Sequence, residues 1–156
     1  MKRVLSVVLL IASLVALSAC GPTRKSVFPP LVSIQQLHVT ADGQWQMQLR
    51  IQNNSYDGVK FSAVHLDMKL HGVAAGRIDQ PIDLDIPALS VDVAEVRIMP
   101  SAAAAKLLAA SGNSVRYQLS GSATGQPEQS KKARTFKVQS QDTWLSPVPG
   151  IADTWR

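Results

Sequence analysis

Cysteine is nearly absent from this chain, since Cys20 is the only one among 156 residues. A single thiol excludes an intramolecular disulfide framework and any metal cluster built from several cysteines. Histidine is limited to three residues, and aromatic side chains make up only 5% of the sequence. The catalytic and phosphate-binding signatures G-x-S-x-G, S-x-x-K, G-x-x-x-x-G-K-[ST] and G-x-G-x-x-G do not occur. We therefore expect no catalytic site, no metal and no cofactor.

The histidines His38, His65 and His71 do not match a zinc spacing such as H-E-x-x-H. His65 stands between Val64 and Leu66 in an alternating stretch, so its side chain is expected to face away from the core. His71 falls in a turn. A structural or solvent-exposed role is therefore the favoured interpretation of these histidines.

Asp79, Asp83 and Asp85 could suit a calcium ion or general acid catalysis. The glycine and the terminal glutamate that an EF-hand loop requires are missing at the set positions. Alternation instead places Asp83 and Asp85 on one solvent face of a strand. We expect them to protect a sheet edge against aggregation.

The chain begins with a pattern typical of a signal peptide. Lys2 and Arg3 precede residues 4–17, of which twelve of fourteen are apolar. As a helix this run spans roughly 21 Å, less than the ~30 Å hydrocarbon core of a bilayer. It is therefore expected to be the hydrophobic region of a signal peptide and not a transmembrane anchor.

The end of this region, Leu17-Ser18-Ala19-Cys20, resembles the lipobox of bacterial lipoproteins. In that family the cysteine thiol is joined to diacylglycerol, the peptide is cut before the cysteine, and the new amino group is acylated. The resemblance implies that residues 1–19 are a lipoprotein signal peptide and that Cys20 is the lipid attachment site. The alternative is a secreted protein cut after Ala19, which would leave Cys20 as a free thiol in an oxidising compartment.

The residue after the cysteine bears on the target membrane. An aspartate there retains lipoproteins of the enterobacterial type in the inner membrane, whereas this chain has Gly21. The expected location is the periplasmic face of the outer membrane, with the membrane itself as a partner through the lipid on Cys20.

The excess of positive charge is partly a property of the signal peptide. Loss of Lys2 and Arg3 leaves 14 of the 16 basic residues against 11 acidic ones, a net charge of +3. The remaining basic cluster, Lys131, Lys132 and Arg134, lacks interleaved aromatic residues. It is expected to be a solvated surface run, so no nucleic-acid partner is predicted.

Alternation with a period of two dominates the mature chain and predicts half-buried strands. Residues 45–52 alternate most strictly, with apolar Trp45, Met47, Leu49 and Ile51. Phase slips at residues 35–36 and 62–63 indicate β-bulges, and Pro81 is expected to mark a strand boundary.

A single short helix interrupts the strands. Ser101 is expected to cap a helix over residues 102–110, and Gly112 is expected to end it. Residues 121–134 are predicted to be a loop before a strand at Phe136 and Val138.

These patterns divide the chain into four parts. Residues 1–19 are the signal peptide, residues 20–30 a lipidated and semi-rigid tether, residues 31–140 the folded domain and residues 141–156 a C-terminal tail. Seven or eight short strands with frequent turns predict an all-β fold, an antiparallel immunoglobulin- or fibronectin-III-like sandwich of about seven strands with one short helix.

The tail contributes two further candidates, Trp144 and Trp155. They could lie at a membrane interface or a partner surface. The favoured alternative is that Trp144 packs on the sandwich and Trp155 lies in a frayed terminus.

Residues 31–99 resemble the water-stress and hypersensitive-response domain of the type-2 late embryogenesis abundant, desiccation-related family. The similarity rests on three segments: the strand Met47-Gln48-Leu49-Arg50-Ile51 before an Asn-rich turn, the hairpin Leu70-His71-Gly72-Val73-Ala74-Ala75-Gly76, and Ile86-Pro87-Ala88-Leu89-Ser90. Family members have Asn-Pro-Asn in the turn, and here Asn53-Asn54-Ser55 keeps only the first asparagine.

The resemblance implies a fibronectin-III-like sandwich without a shared catalytic activity, associated with tolerance of dehydration and other stress. The first functional hypothesis is a non-catalytic outer-membrane lipoprotein that acts by binding in envelope stress or desiccation tolerance. The second is an accessory subunit or scaffold of an envelope assembly or transport complex, with an unidentified envelope protein as partner. An enzyme with an unrecognised site is the third.

Overall fold

The computed structural model describes residues 25–140 and 143–156, and these residues form antiparallel strands and one helix. The predicted signal peptide and Cys20 lie outside the described residues. The elements in chain order are β1 (Leu31–Val39), β2 (Trp45–Gln52), β3 (Val59–Leu70), β4 (Val73–Ile86), β5 (Val91–Ile98), α1 (Ala102–Ala110), β6 (Val115–Pro127), β7 (Arg134–Gln139), β8 (Thr143–Leu145) and β9 (Thr154–Trp155).

The strands form two sheets that pack face to face. One sheet has the order β5-β2-β1-β9, and the other has the order β4-β3-β6-β7 with β8 also paired to β6. All of these pairings are antiparallel. The predicted all-β sandwich with one short helix is confirmed. Strands β1–β7 supply the expected seven, and the short strands β8 and β9 are additional.

The core lies between the inner faces of the sheets, because apolar residues alternate with polar ones along each strand. Strand β2 shows this most regularly, as every second side chain from Trp45 onward is buried. Complete burial of a large apolar side chain stabilises the fold by about 1.5–3 kcal/mol. The largest fully buried side chains are Trp45, Tyr117, Phe61, Leu37, Met47, Leu49, Ile51, Leu66, Met68, Leu70, Ile78 and Ile86.

Both predicted phase slips correspond to shifts in strand register. One lies between Ile34 and Gln36 in β1, and the other lies between Phe61 and Ala63 in β3. At the first shift, the backbone N–H of Ile34 donates to the hydroxyl of Tyr117 at 2.8 Å. Tyr117 belongs to the opposite sheet, so its hydroxyl satisfies a backbone donor at the irregularity and links the two layers.

Helix α1 has the predicted bounds but a different C-terminal cap. The Ser101 hydroxyl accepts from the Ala104 N–H at 3.2 Å, as expected of an N-cap. The predicted end at Gly112 is wrong, because Ser111 is the C-cap in an extended conformation. Its N–H and hydroxyl both donate to the Leu108 carbonyl, so the helix ends without a left-handed glycine. Across the described residues, no helix is both long and apolar enough to cross a membrane.

Two predicted strand boundaries are wrong. Pro81 lies within β4, which runs along the edge of its sheet, where a missing N–H on the outer side breaks no ladder bond. Residues 121–127, expected to be part of a loop, continue β6 between β3 and β7. Gly121 interrupts the alternation of apolar and polar side chains, so the sequence pattern does not reveal that the strand continues. Its φ is +152°, and a Cβ there would lie 2.0 Å from the His65 carbonyl oxygen.

The C-terminal residues complete both sheets. Strand β8 pairs with the start of β6, and β9 pairs with β1 through Leu37 and His38. The expectation that Trp155 frays is wrong, because its side chain is only 8% exposed opposite Leu37. Trp144 is 55% exposed, and its ring meets the His71 ring edge-on at a centroid distance of 6.3 Å.

We predict that Gly121→Ala lowers the free energy of unfolding by at least about 3 kcal/mol, because the new Cβ would collide with backbone in the centre of a sheet. Urea unfolding followed by circular dichroism measures the change. The control is Gly112→Ala, where a Cβ meets no atom within 4 Å. Equal unfolding midpoints for the two variants would contradict the close packing of β3 against β6.

Candidate functional site

Three buried polar side chains occupy the loop between β2 and β3. Asn53, Ser55 and Asp57 are each 0% exposed, although polar loop side chains normally face water. We call these three residues the polar hub. They lie at the end of the sandwich formed by residues 25–30, the β2–β3 loop, the β4–β5 turn and the β6–β7 loop, which we call the hub end.

Asn53 joins its own loop to the turn between β4 and β5. Its side-chain N–H₂ group donates to the carbonyls of Asp57, Ile86 and Pro87 at 2.9, 3.0 and 3.1 Å. Its side-chain oxygen accepts from the Ser55 N–H at 2.9 Å, which closes a local Asx turn. One amide therefore contacts four backbone groups, and its two N–H hydrogens are shared among the three carbonyls.

Ser55 binds the chain that leads into β1. Its hydroxyl accepts from the Phe28 N–H at 3.0 Å and lies 3.2 Å from the Phe28 carbonyl, to which it donates. The next residue continues the attachment, since the Tyr56 N–H donates to the Ser26 carbonyl at 3.0 Å. The leading segment, residues 25–30, is therefore held along the β2–β3 loop.

Asp57 connects the same loop to the β6–β7 loop. Its Oδ2 accepts from the Gln129 N–H at 3.0 Å, and its Oδ1 lies 3.7 Å from the Lys25 Nζ. The backbone N–H of Lys25 donates to the Gln129 side chain at 3.1 Å. The buried carboxylate thus has a cation beside it, and the first described residue is bonded to two loops.

These contacts show that part of the predicted tether belongs to the folded domain. Residues 20–30 are expected from the sequence to hold the domain away from the membrane, but the structure bonds residues 25–30 to the sandwich. Val27 packs partly against the core, and Pro30 is buried. Any free spacer after Cys20 is therefore confined to residues 21–24, which lie outside the described residues.

Most polar atoms of the hub side chains are hydrogen-bonded to backbone groups, and the remaining oxygen, Asp57 Oδ1, faces the Lys25 Nζ at 3.7 Å without a hydrogen bond. A second polar feature lies on the outer face of the β5-β2-β1-β9 sheet. It is a depression of about 170 Å³ lined by Gln36, His38, Gln46, Gln48 and Glu95. His38 is already hydrogen-bonded through Nδ1 to the Thr154 hydroxyl at 3.0 Å.

The histidines lie apart from one another and from the polar hub. His65 is half-exposed on β3, and its Nδ1 lies 2.6 Å from the Asp79 carboxylate on β4. His71 occupies the β3–β4 turn with a positive φ of 43°. Within residues 25–140 and 143–156, no group of three or more histidine, cysteine and acidic side chains is placed to hold a metal ion.

The acidic residues of β4 lie on its solvent face, as alternation predicts. Asp83 pairs with Lys60 of β3 at 3.1 Å, and Asp85 is exposed. Because β4 is an edge strand, these charges are placed where they oppose edge-to-edge association.

Two pKa shifts occur on exposed charged groups outside the polar hub. The Thr40 hydroxyl donates to Asp42 and lowers the pKa of that carboxyl. A hydrogen bond to Asp67 raises the pKa of the Arg77 guanidinium. Both groups belong to surface pairs, which contribute little to stability.

The structure brings together residues that the sequence analysis treats separately. The exposed basic residues Lys131, Lys132 and Arg134 follow Gln129, so they lie at the hub end. Trp144 and Trp155 both belong to strands at the opposite, far end, where Trp155 pairs with Pro147 of the segment that follows β8. Trp144 is 55% exposed and Trp155 only 8%, so their burial does not support a common membrane-facing role for the two tryptophans.

Sequence reasoning identifies Asn53 only through the family resemblance and does not identify Ser55 or Asp57 as buried. The run Asn-Asn-Ser-Tyr-Asp-Gly is typical of a turn exposed to water. The available signal for burial is the position of this run directly after the most regular strand. Backbone groups at the end of a core strand need hydrogen-bond partners outside the strand ladder.

The fold places the chain among all-β antiparallel sandwich proteins. The sequence matches no protein-family model and no curated protein. It is similar in structure to the solution structure of AT1g01470 from Arabidopsis thaliana, with a TM-score of 0.56 and 11% identity, over 86% of this chain and 91% of that chain. A crystal structure of a protein from Archaeoglobus fulgidus matches with a TM-score of 0.44 and 12% identity, over 74% of this chain and 96% of that chain. At these identities the likeness concerns the fold alone.

We predict that Asn53→Ala lowers the free energy of unfolding by about 3 kcal/mol, because several buried backbone groups lose their partner. Asn53→Asp should also destabilise the fold, since a carboxylate would face three carbonyl oxygens. Urea unfolding measures both variants. Asn54→Ala, on the neighbouring and less buried residue, should stay within about 0.5 kcal/mol of the wild type. Similar values for Asn53→Ala and Asn54→Ala would contradict the role assigned to the polar hub.

Proposed function

We propose that this protein is a bacterial envelope lipoprotein, anchored through Cys20 on the periplasmic face of the outer membrane, that acts without catalysis. Its sandwich is proposed to be a water-stress and hypersensitive-response domain that contributes to envelope stress or desiccation tolerance by binding. The observation that carries the proposal is the bonding of Lys25 into the sandwich only five residues after the lipobox cysteine.

The proposed anchor has a direct mechanical consequence. Five extended residues from Cys20 to Lys25 span at most about 17 Å. A diacylglycerol and a further acyl chain, at ~0.8 kcal/mol per buried CH₂ group, would make the attachment essentially permanent. The folded domain would therefore stay close to one membrane surface.

The stress role is supported by the family resemblance of residues 31–99 together with the folded sandwich of the described chain. A folded sandwich cannot protect by the loose hydration that disordered, hydrophilic chains provide, because its polar backbone groups are engaged in strand pairing. Protection would act through a surface of the domain. Deletion should lower survival after drying or osmotic shock, and the wild-type gene should restore it.

We predict that Cys20→Ala abolishes acylation and removes the protein from the outer-membrane fraction almost completely, because a single lipidated residue provides the anchor. Fractionation of cells and mass measurement of the mature N-terminus give the result. The matched control is Ser18→Ala, which keeps a small residue in the lipobox and should leave acylation intact. An unmodified Cys20 in the wild type would contradict the proposed anchor.

A crosslinked pull-down from unstressed envelopes distinguishes the assembly-subunit hypothesis from the stress-protective one. A stoichiometric protein partner that is lost in Cys20→Ala would favour an accessory subunit or scaffold. Fractionation with the outer membrane without a stoichiometric partner would favour the stress-protective function.

A further inference from the structure

Large apolar side chains are exposed mainly at the hub end. Within residues 25–140 and 143–156, five of the eight such residues lie there, and the remaining three are Met99, Trp144 and Ile151. The hub-end set, which we call the apolar patch, comprises Phe28, Leu31, Tyr56, Leu89 and Val91, each 45–64% exposed.

Several contacts place the members of the apolar patch at this end of the sandwich. The rings of Phe28 and Tyr56 meet edge-on at a centroid distance of 6.3 Å. Leu31 and Val91 both pair with Gln52, so they flank it on one face of the sheet. The Leu89 N–H donates to the carbonyl of Ser55, the residue before Tyr56, at 3.1 Å. The patch is therefore drawn from three parts of the chain that meet at the hub end.

Leu89 occupies its position at a conformational cost. Its φ is +55°, a left-handed conformation in which glycine or asparagine would be less strained. Its side chain is nevertheless 64% exposed and contributes little to the core. Strain combined with an exposed apolar side chain is typical of a residue that serves an interaction.

A basic loop lies at the same end of the sandwich as the apolar patch. The β6–β7 loop carries Lys131 and Lys132, and β7 begins with Arg134, all exposed. The loop is fixed at the hub end by the bond from Gln129 to Asp57. The acids of this end include the exposed Asp85 and Asp92 and Glu128, which packs against Gly58. From Glu128 to Arg134 the loop itself has three cations and one acid.

We propose that the hub end lies directly on the bilayer that holds the lipid anchor, with the apolar patch in the headgroup region and the basic loop on anionic phospholipids. The inference rests on the proposed acylation of Cys20. The chain between Cys20 and Lys25 spans at most about 17 Å, whereas the far end is about 36 Å away along β3. Apolar side chains beside basic ones match the chemistry of an anionic membrane surface.

The experiment uses site-specific photocrosslinking of the full lipidated chain in native envelopes. Tyr56 or Leu89 is replaced by p-benzoylphenylalanine, and the matched controls replace Met99 or Trp144, which are similarly exposed at the far end. We expect phospholipid adducts at least about fivefold more abundant at the two hub-end positions. With the label at position 56, Leu89→Asn should lower the adduct yield without loss of stability, because asparagine tolerates a positive φ.

The contribution of charge is measured with the same lipidated protein in vesicles. Lys131→Gln combined with Lys132→Gln should lower the adduct yield about twofold or more in vesicles that contain phosphatidylglycerol, and not in pure phosphatidylcholine. An equal effect in both lipids would overturn the assignment of the basic loop to anionic lipids.

The mass of the N-terminal peptide from the same samples shows whether Cys20 is acylated, so the anchor and the contact of the hub end with the bilayer are tested independently. An acylated Cys20 with equally low lipid adducts at all four positions would overturn the inference and leave the anchor intact. A discrete protein adduct at Tyr56 or Leu89 would overturn it in favour of a protein partner. A chain without acyl groups on Cys20 would overturn the anchor and the inference together.

Discussion

The hydrogen bonds of the Asn53 side chain set the arrangement of the hub end. When core strands reach the end of a sandwich, their terminal carbonyls and N–H groups lose their ladder partners and must be satisfied in a space that water does not reach. Asn53 has two donor hydrogens and an acceptor in one rigid plane, so it can bind carbonyls from β4 and from its own loop at once. Ser55 and Asp57 accept hydrogen bonds in the same way from backbone N–H groups of the leading segment and of the β6–β7 loop. Four chain segments thereby keep fixed positions through side-chain hydrogen bonds to the backbone.

This arrangement determines how the domain is connected to its N-terminal side. A freely jointed spacer would allow the sandwich to take any orientation relative to an anchor. The leading segment instead bonds to Ser55 and to Gln129, and the buried Asp57 is paired with Lys25. The last few residues before the sandwich therefore transmit orientation as well as position. Because the apolar patch and the basic loop share this end, an anchor attached there would present them together to the same surface.

Local patterns predict most of the sandwich, since a strand with one buried face must alternate in sequence. The strict alternation from Trp45 identifies β2, and the phase slips identify two register shifts within one residue. The failures have a common physical origin. Pro81 and Gly121 are strand-breaking residues by local criteria, but an edge position tolerates the first, and close backbone approach requires the second. Strands β8 and β9 are too short to show a period, and they form because β6 and β1 offer unpaired edges.

The amino-acid sequence by itself determined the helix capped by Ser101 and the all-β class, and it alone carries the resemblance of residues 17–20 to a lipobox, because each depends on residues adjacent along the chain. Tertiary structure alone decided that Asn53, Ser55 and Asp57 are buried, although their loop has the composition of an exposed turn. It also decided that Phe28, Tyr56 and Leu89 lie at the same end of the sandwich as Lys131 and Lys132. Such groupings arise from the order in which strands cross between two sheets. That order brings distant segments to the same end, and no local periodicity encodes it.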